Sequence, residues 1–374
     1  MEREIGLKRR ILAITSATLI GLAAALACAT PASANGPDPV KQFSGQAATP
    51  YVVGGTDTRA SRFPWQVLIT ANGNQFCGGV LIHPMIVLTA AHCLVDEDGE
   101  YFEDNESIRF RAFTGRTRLN SGGEELDWRV ARVNQSYNPE TETFDWGYIS
   151  LNSPASAPTL KIAGPSERAL WETGRNAVIS GFGLLKDGGN GATELQQARI
   201  PILADSDCSH YGSLFKNASM LCAGYLTGGR DACRGDSGGP LSVTADRGVR
   251  RLVGLISTGR GCALPKFPGI YARVADRRMS DRIQQEVAFI EAEDGFPATY
   301  TGLSVIGSGA RPLGCEAAED ARNGARQRVK SSSRALIAAR RTGNRNRVIA
   351  AKRRLNIAKH RLLVSRSKTK KVCS

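Results

Sequence analysis

The sequence predicts an all-β body followed by a helical tail, and three observations carry that expectation. Short apolar segments, such as Trp65 to Ile69, Val80 to Leu88 and Val178 to Ile179, alternate and are broken by Gly and Asn turns. A helical period is scarce until Asp276 to Ile290. Beyond residue 315 the composition turns sharply basic, and apolar residues recur at spacings of three and four.

Taken in order, residues 1–34 begin with Lys8, Arg9 and Arg10, run apolar from Ile11 to Cys28, and end in Ala32-Ser33-Ala34. A basic start, a short apolar run and an A-x-A site read as a secretory signal peptide. No other segment is apolar enough to span a bilayer. Residues 52–290 form the β body with its closing helix, and residues 291–314 read as a linker. Acidic residues cluster from Asp96 to Glu106, but without the ligand spacing of an EF-hand, so the run reads as a solvated loop and no metal is called for. In the tail, 315–374, Ala321, Ala325, Val329, Ser332, Leu336 and Ala339 recur helically, as do Val348, Ala351, Leu355, Ala358 and Leu362, with Gly343-Asn344 between. Two arms of nearly equal length predict a helical hairpin whose open end Cys315 and Cys373 would close.

Charge separates body from tail. From Glu316 to Ser374 there are 18 Lys and Arg against 3 acidic residues, a net of +15 in a chain whose total is +14. Everything before the tail is therefore almost neutral. A secreted polycation fits an anionic cell-wall polymer such as teichoic acid, an acidic polysaccharide, lipid headgroups or extracellular DNA, and a place at the cell surface. The tail has no aromatic residue on which a base could stack, which argues against a specific nucleic-acid module.

The chemistry concentrates in Arg230 to Pro240, RDACRGDSGGP. Ser237 lies among Gly235, Gly238 and Gly239, where a sharply turning backbone can aim amides at one point. A serine hydroxyl needs a base to take its proton and fixed donors to hold the oxyanion. Among four histidines, His92 has the fitting surroundings, at a buried strand end (Leu88-Thr89-Ala90-Ala91) and beside Cys93. A carboxylate must then orient the imidazole, and Asp145, opening the apolar strand Trp146 to Leu151, fits better than Asp127 in its charged stretch.

With TAAHC and GDSGGP both intact and His92, Asp145 and Ser237 in that order, the chain resembles the chymotrypsin-family serine proteases of the trypsin type, as a secreted bacterial member with a basic C-terminal extension. The resemblance spans Val52 to about Ile290. It implies two packed six-stranded antiparallel barrels with the active site in the cleft between them, and no cofactor. It also implies an oxyanion hole from the amides of Gly235 and Ser237, with Ser257 orienting Asp145. Asp231 would form the floor of a specificity pocket that accepts Lys or Arg, with Gly259 and Gly269 keeping its walls open. Thr258 stands where the family usually has tryptophan. Arg234 and Arg260 would make the cleft mouth basic.

The same resemblance reads Val52-Val53-Gly54-Gly55 as a new amino terminus, released from a propeptide, 35–51, whose ammonium would insert beside Asp236. Tyr51 precedes the cut, so an activating protease of chymotrypsin-like or broad specificity is expected. Removing Cys28 from nine cysteines leaves eight, an even set that suits an oxidising compartment. The resemblance pairs Cys77 with Cys93, Cys208 with Cys222 and Cys233 with Cys262. Two functions follow: an endopeptidase acting on protein or peptide substrates, or a catalytically idle homologue whose basic tail is the working part. No triad residue is lost, which favours the first.

Overall fold

A computed structural model describes residues 52–96, 99–102, 108–312, 314–343 and 345–373. The expected signal peptide 1–34, the propeptide 35–51 with Tyr51, most of the acidic run 96–106, and Asn344 lie outside them.

The first antiparallel sheet is built from β2 (Gln66–Ala71), β3 (Asn74–His83), β4 (Ile86–Thr89), β5 (Phe110–Thr114), β6 (Glu124–Leu126), β7 (Trp128–Val133) and β8 (Gly147–Leu151), after a two-residue β1 (Thr56–Asp57) that belongs to the second sheet. Asn72 and Gly73 both take positive φ, 51° and 81°, in the two-residue hairpin joining β2 to β3, a turn that Asn-Gly favours. The order is β6-β5-β2-β3-β4-β8-β7. β6 and β7 are one stretch of chain interrupted at Asp127, its first part pairing with β5 and its second with β8. A bent strand therefore closes the ring, and seven strands amount to a six-stranded barrel.

The second sheet uses β9 (Asn176–Gly181), β10 (Gln196–Pro201), β11 (Met220–Ala223), β12 (Pro240–Thr244), β13 (Arg250–Thr258) and β14 (Gly269–Ala272), in the order β1-β10-β9-β12-β13-β14-β11. Its two ends meet through a bridge between Ile202 and Ala223, where Leu203 N donates to Cys222 O at 2.9 Å and Gly224 N to Pro201 O at 3.0 Å. β1 is an addition to the β10 edge. The fold is thus the double barrel expected, with one short strand more. The strands bury near-continuous apolar runs, as in β4 and β8, which are buried throughout, because each barrel fills its own interior and also packs on its neighbour.

Helix α1 (Arg277–Glu293) starts at Asp276, whose carboxylate caps it by accepting from Arg278 N at 3.1 Å. Met279, Ile283, Val287 and Ile290 face the core at helical spacing. Near its end, Glu291 lies 3.6 Å from buried His83, whose Nδ1 accepts from Met85 N and whose Nε2 therefore donates to Tyr300 O at 2.8 Å. Burial pushes the His83 pKa down. His83 is thus part of the packing.

The stretch read as a linker adheres to the body. Val305 is buried, Ile162 N donates to Val305 O, Gly307 N donates to Ile162 O, and Ala310 N donates to the Glu167 carboxylate that Arg251 grips twice. The hairpin follows as α2 (Cys315–Arg341) and α3 (Arg345–Cys373), packed on each other. Ala325, Leu336, Ala351 and Ala358 line the seam as expected, but Ala321 is exposed and Ala318 takes its place. Ala318 lies one heptad before Ala325, which is the register an antiparallel pair keeps. Its clasp end touches the body where Arg175 Nη2 donates to Val372 O at 2.8 Å and Gly314 N to Asp246 Oδ1 at 2.5 Å.

Candidate active site

Strand β4 ends at the buried Thr89, and after Ala90 a single 3-10 turn, Ala91–Cys93, swings His92 into the cleft between the barrels. The Cys77–Cys93 disulfide ties that turn to β3. His92 Nδ1 lies 2.9 Å from Asp145 Oδ2, and the His92 amide donates to Asp145 Oδ1 at 3.0 Å. Ser257, on β13, donates to Asp145 Oδ2 at 2.6 Å. Asp145 thus accepts three hydrogen bonds while fully buried. Burial alone would push its carboxyl up, but the His92 ring and these hydrogen bonds outweigh burial and hold it below the ordinary value. On His92 burial pulls down, and Asp145, with a smaller push from Glu142, raises the ring above its ordinary 6.5. Nδ1 being engaged, Nε2 is the ring atom left to face a substrate.

Asp127, the weaker candidate, is held elsewhere, its side chain and carbonyl accepting from Asn152. Of the other histidines, His210 packs edge-on against Phe267 and His360 lies exposed on α3.

The loop before β12 is shaped by glycine. Gly235 has φ 90° and Gly238 φ 78°. A Cβ on Gly238 would strike Thr89 Oγ1, and one on Gly235 would lie 2.7 Å from Gln75 Nε2, so neither position tolerates a side chain. Leu184 N donates to Arg234 O at 2.9 Å, and in a trans peptide the Gly235 N–H must then point the other way. Gln75 Nε2 grips Gly235 O at 2.9 Å, and Gly78 N grips Ser237 O at 2.7 Å. Neither the Gly235 nor the Ser237 amide donates to any of the described residues.

His92 and Ser237 line one cleft of about 260 Å³ together with Glu142, Asp231, Gly259 and Gly269. Asp231, only 4 % exposed, accepts from Ala232 N and Ala263 N. Burial raises its pKa, against those two amides, to about 7, and no cation pairs with it among the described residues. A Cβ on Gly269 would lie 2.7 Å from Asp231 Oδ1 and block the slot, whereas at Gly259 the nearest atom is 3.6 Å away. The Cys233–Cys262 disulfide joins the two walls.

Asp236 is buried beside Ser237. Its Oδ1 accepts from Gly183 N at 2.7 Å and its Oδ2 from Cys233 N at 3.0 Å, and burial pushes its pKa up to about 6. Val52 is 1 % exposed and belongs to the core, with Asp231 N donating to Val53 O at 3.2 Å. The remaining expected disulfides, Cys208–Cys222 and Cys315–Cys373, also form.

Some site residues escaped the sequence. Tyr271, fully buried behind Asp231 with no partner for its hydroxyl among the described residues, closes the pocket. Tyr211 accepts from Arg260 N and donates to Pro268 O, bracing the loops on either side of the slot. Glu142 reaches the cleft from a residue at φ 50°. Arg234 lines the cleft as expected, but the Arg260 guanidinium stands over the Phe267 ring at 4.9 Å and does not line it. The mouth is therefore of mixed charge, with both Glu142 and Arg234 lining it. No local signal marks these residues, because each acts through contacts distant in sequence.

Residues 52–282, more than half of the chain, match the family Trypsin. The chain is 36 % identical over 226 residues to the trypsin of Saccharopolyspora erythraea, covering 60 % of this chain and 93 % of that one. It is 37 % identical over 231 residues to a trypsin-like protease of Streptomyces glaucescens, covering 61 % and 80 %. To the suppressor of tumorigenicity 14 protein homolog of Bos taurus it is 34 % identical over 228 residues, 60 % of this chain but only 27 % of that protein's length. The chain belongs to the trypsin family of serine proteases, a branch of the chymotrypsin fold, and is a hydrolase whose substrates are proteins. The helical hairpin lies outside the matched residues.

Proposed function

We propose that this chain is a secreted endopeptidase that cuts after Arg or Lys. One observation carries the specificity: a buried carboxylate, Asp231, stands without a cation among the described residues at the end of a slot that two glycines leave open. A substrate Arg or Lys supplies the missing charge, whereas an apolar side chain leaves Asp231 desolvated and unpaired.

In the reaction, His92 Nε2 takes the Ser237 proton as Oγ attacks the scissile carbonyl. The Gly235 and Ser237 amides receive the oxyanion, which explains why both are kept from other acceptors. Asp145 stabilises the imidazolium, and Ser257 and the His92 amide fix that carboxylate. The imidazolium then protonates the leaving amine, the C–N bond breaks, and an ester to Ser237 remains. Water, deprotonated by His92, hydrolyses it. Labelling of Ser237 by a fluorophosphonate, before and after activation, tests this; no labelling under any processing condition would favour an idle binding module.

The chain is made as a zymogen in the same reading. Cutting after Tyr51 by another protease frees the Val52 ammonium to pair with Asp236, offsetting the desolvation that raises that carboxyl. The supporting observation is that Val52 is already buried and Asp236 is held by two amides and no cation among the described residues. Mass spectrometry of the active form should find Val52 at its amino terminus, and any other terminus sinks this step. The signal pattern and the eight paired cysteines support export, and the basic hairpin supports attachment to an anionic surface.

A further inference from the structure

Helix α3 carries eleven Lys and Arg and no acidic residue in 29 positions. The three acids of the extension all fall at its start, before Ala321. The hairpin is therefore most uniformly positive along α3 and toward the turn. Charge alone would suit any polyanion. What distinguishes α3 is that it has two apolar stripes.

One stripe, with Ala351, Leu355, Ala358 and Leu362, faces α2. The other is Ile349, Ile357 and Val364, spaced eight and seven residues apart, with Leu363 beside them. At ~100° per residue, two residues separate Ile349 from Ala351 by about 200°, so the second stripe points away from α2. Its side chains are open to solvent: Ile349 44 %, Ile357 56 %, Leu363 62 % and Val364 55 % exposed. Exposed Lys352, Arg361 and Lys368 surround them. Arg353 and His360, also exposed, fall on the same face between them. A water-soluble polysaccharide or polyphosphate has nothing to offer the aliphatic side chains. A lipid surface does, because it presents anionic headgroups at the level of the basic residues and acyl carbons just beneath.

We infer that the outer face of α3 docks on an anionic lipid surface, the helix lying in the interface with Ile349, Ile357, Leu363 and Val364 below the headgroups. No helix among the described residues is long and apolar enough to cross a membrane, so the attachment is peripheral. The clasp end fixes the hairpin to the body through Arg175 and Gly314, and α3, at ~1.5 Å per residue, extends for about 43 Å. This inference rests on reading the hairpin as an anchor to an anionic surface, and it names the surface.

The test measures sedimentation of the full chain with phosphatidylcholine vesicles, with and without phosphatidylglycerol, alongside binding to soluble inorganic polyphosphate. Binding is expected to the phosphatidylglycerol vesicles and not to the neutral ones. Ile357→Ser, Leu363→Ser and Val364→Ser together should weaken vesicle binding about tenfold or more and leave polyphosphate binding unchanged. Ile357→Trp, at the same exposed position, should strengthen it. Peptide hydrolysis and helical circular dichroism serve as the folding controls, and both should match the parent. If the triple-serine variant keeps its vesicle affinity, or the chain binds polyphosphate but not anionic vesicles, the lipid assignment is wrong and the anchor reading stands. Binding to neither overturns both.

Discussion

Two buried carboxylates in this protein are raised, and one is lowered, by what surrounds them. Asp145 is lowered because His92 and Ser257 point hydrogen-bond donors at it, so the pair it forms with His92 holds the ring protonated to a higher pH than a free imidazole. A base must be neutral to act. The acid limb of kcat/KM should therefore lie above 6.5, and Glu142→Gln should move it down, since Glu142 adds to the rise. A limb at or below 6.5 in the parent would contradict this. Ser237→Ala should lower kcat by ~10⁶-fold, and Asp145→Asn by ~10⁴-fold.

Asp231 gives a second pH signature. Its folded pKa, about 7, lies above the ordinary 3.8, so its protonated form is favoured in the fold; that contribution to stability is complete below 3.8 and is lost as pH rises toward 7. A bound cation removes the penalty of ionisation. Benzamidinium should therefore bind more tightly as pH rises to about 7, by up to ~tenfold per pH unit, and Asp231→Asn should flatten the profile. A parent profile as flat as the variant's would exclude Asp231 as the cation's partner.

At the scale of elements, the sharp turning of the loop from Cys233 to Gly239 was legible, since Gly235 and Gly238 take the positive φ that their glycine-rich setting suggests. The Gly and Asn turns between strands and the helix from Asp276 to Ile290 were legible because turn chemistry and periodicity are local. The bent strand from Glu124 to Val133 was not, for closing a barrel through one kinked segment depends on pairing with β5 and β8, far off in sequence. Nor was the adhesion of residues 294–312, where the apolar Phe296 and Val305 enter the core without a sustained strand or helix period and backbone amides make the remaining ties. Gln75 shows the same limit. It holds the Gly235 carbonyl across 160 residues, and Gln75→Ala should lower kcat more than it raises KM, as expected when a peptide flanking the oxyanion site loosens. A change confined to KM would remove Gln75 from that role.

On the scale of the whole molecule, a nearly neutral protease body and a strongly basic hairpin meet at the Cys315–Cys373 clasp. The hairpin packs chiefly on itself, and no cleft residue belongs to it. Deleting Cys315 to Ser374 should thus leave small-peptide hydrolysis within about twofold of the parent and abolish salt-sensitive attachment to anionic surfaces. Loss of peptide hydrolysis in the truncated protein would make the hairpin part of the catalytic fold.

The central claim is that Ser237 is acylated by substrates whose basic side chain reaches Asp231. It is tested most directly by kcat/KM on matched peptide amides differing only in the residue before the cut, Arg against Phe, using protein whose amino terminus is Val52. A preference for Arg of ~10³-fold or more is expected, the order seen when a buried charge is left unpaired by the wrong substrate. Equal turnover of the two amides, or a preference for Phe, would contradict it.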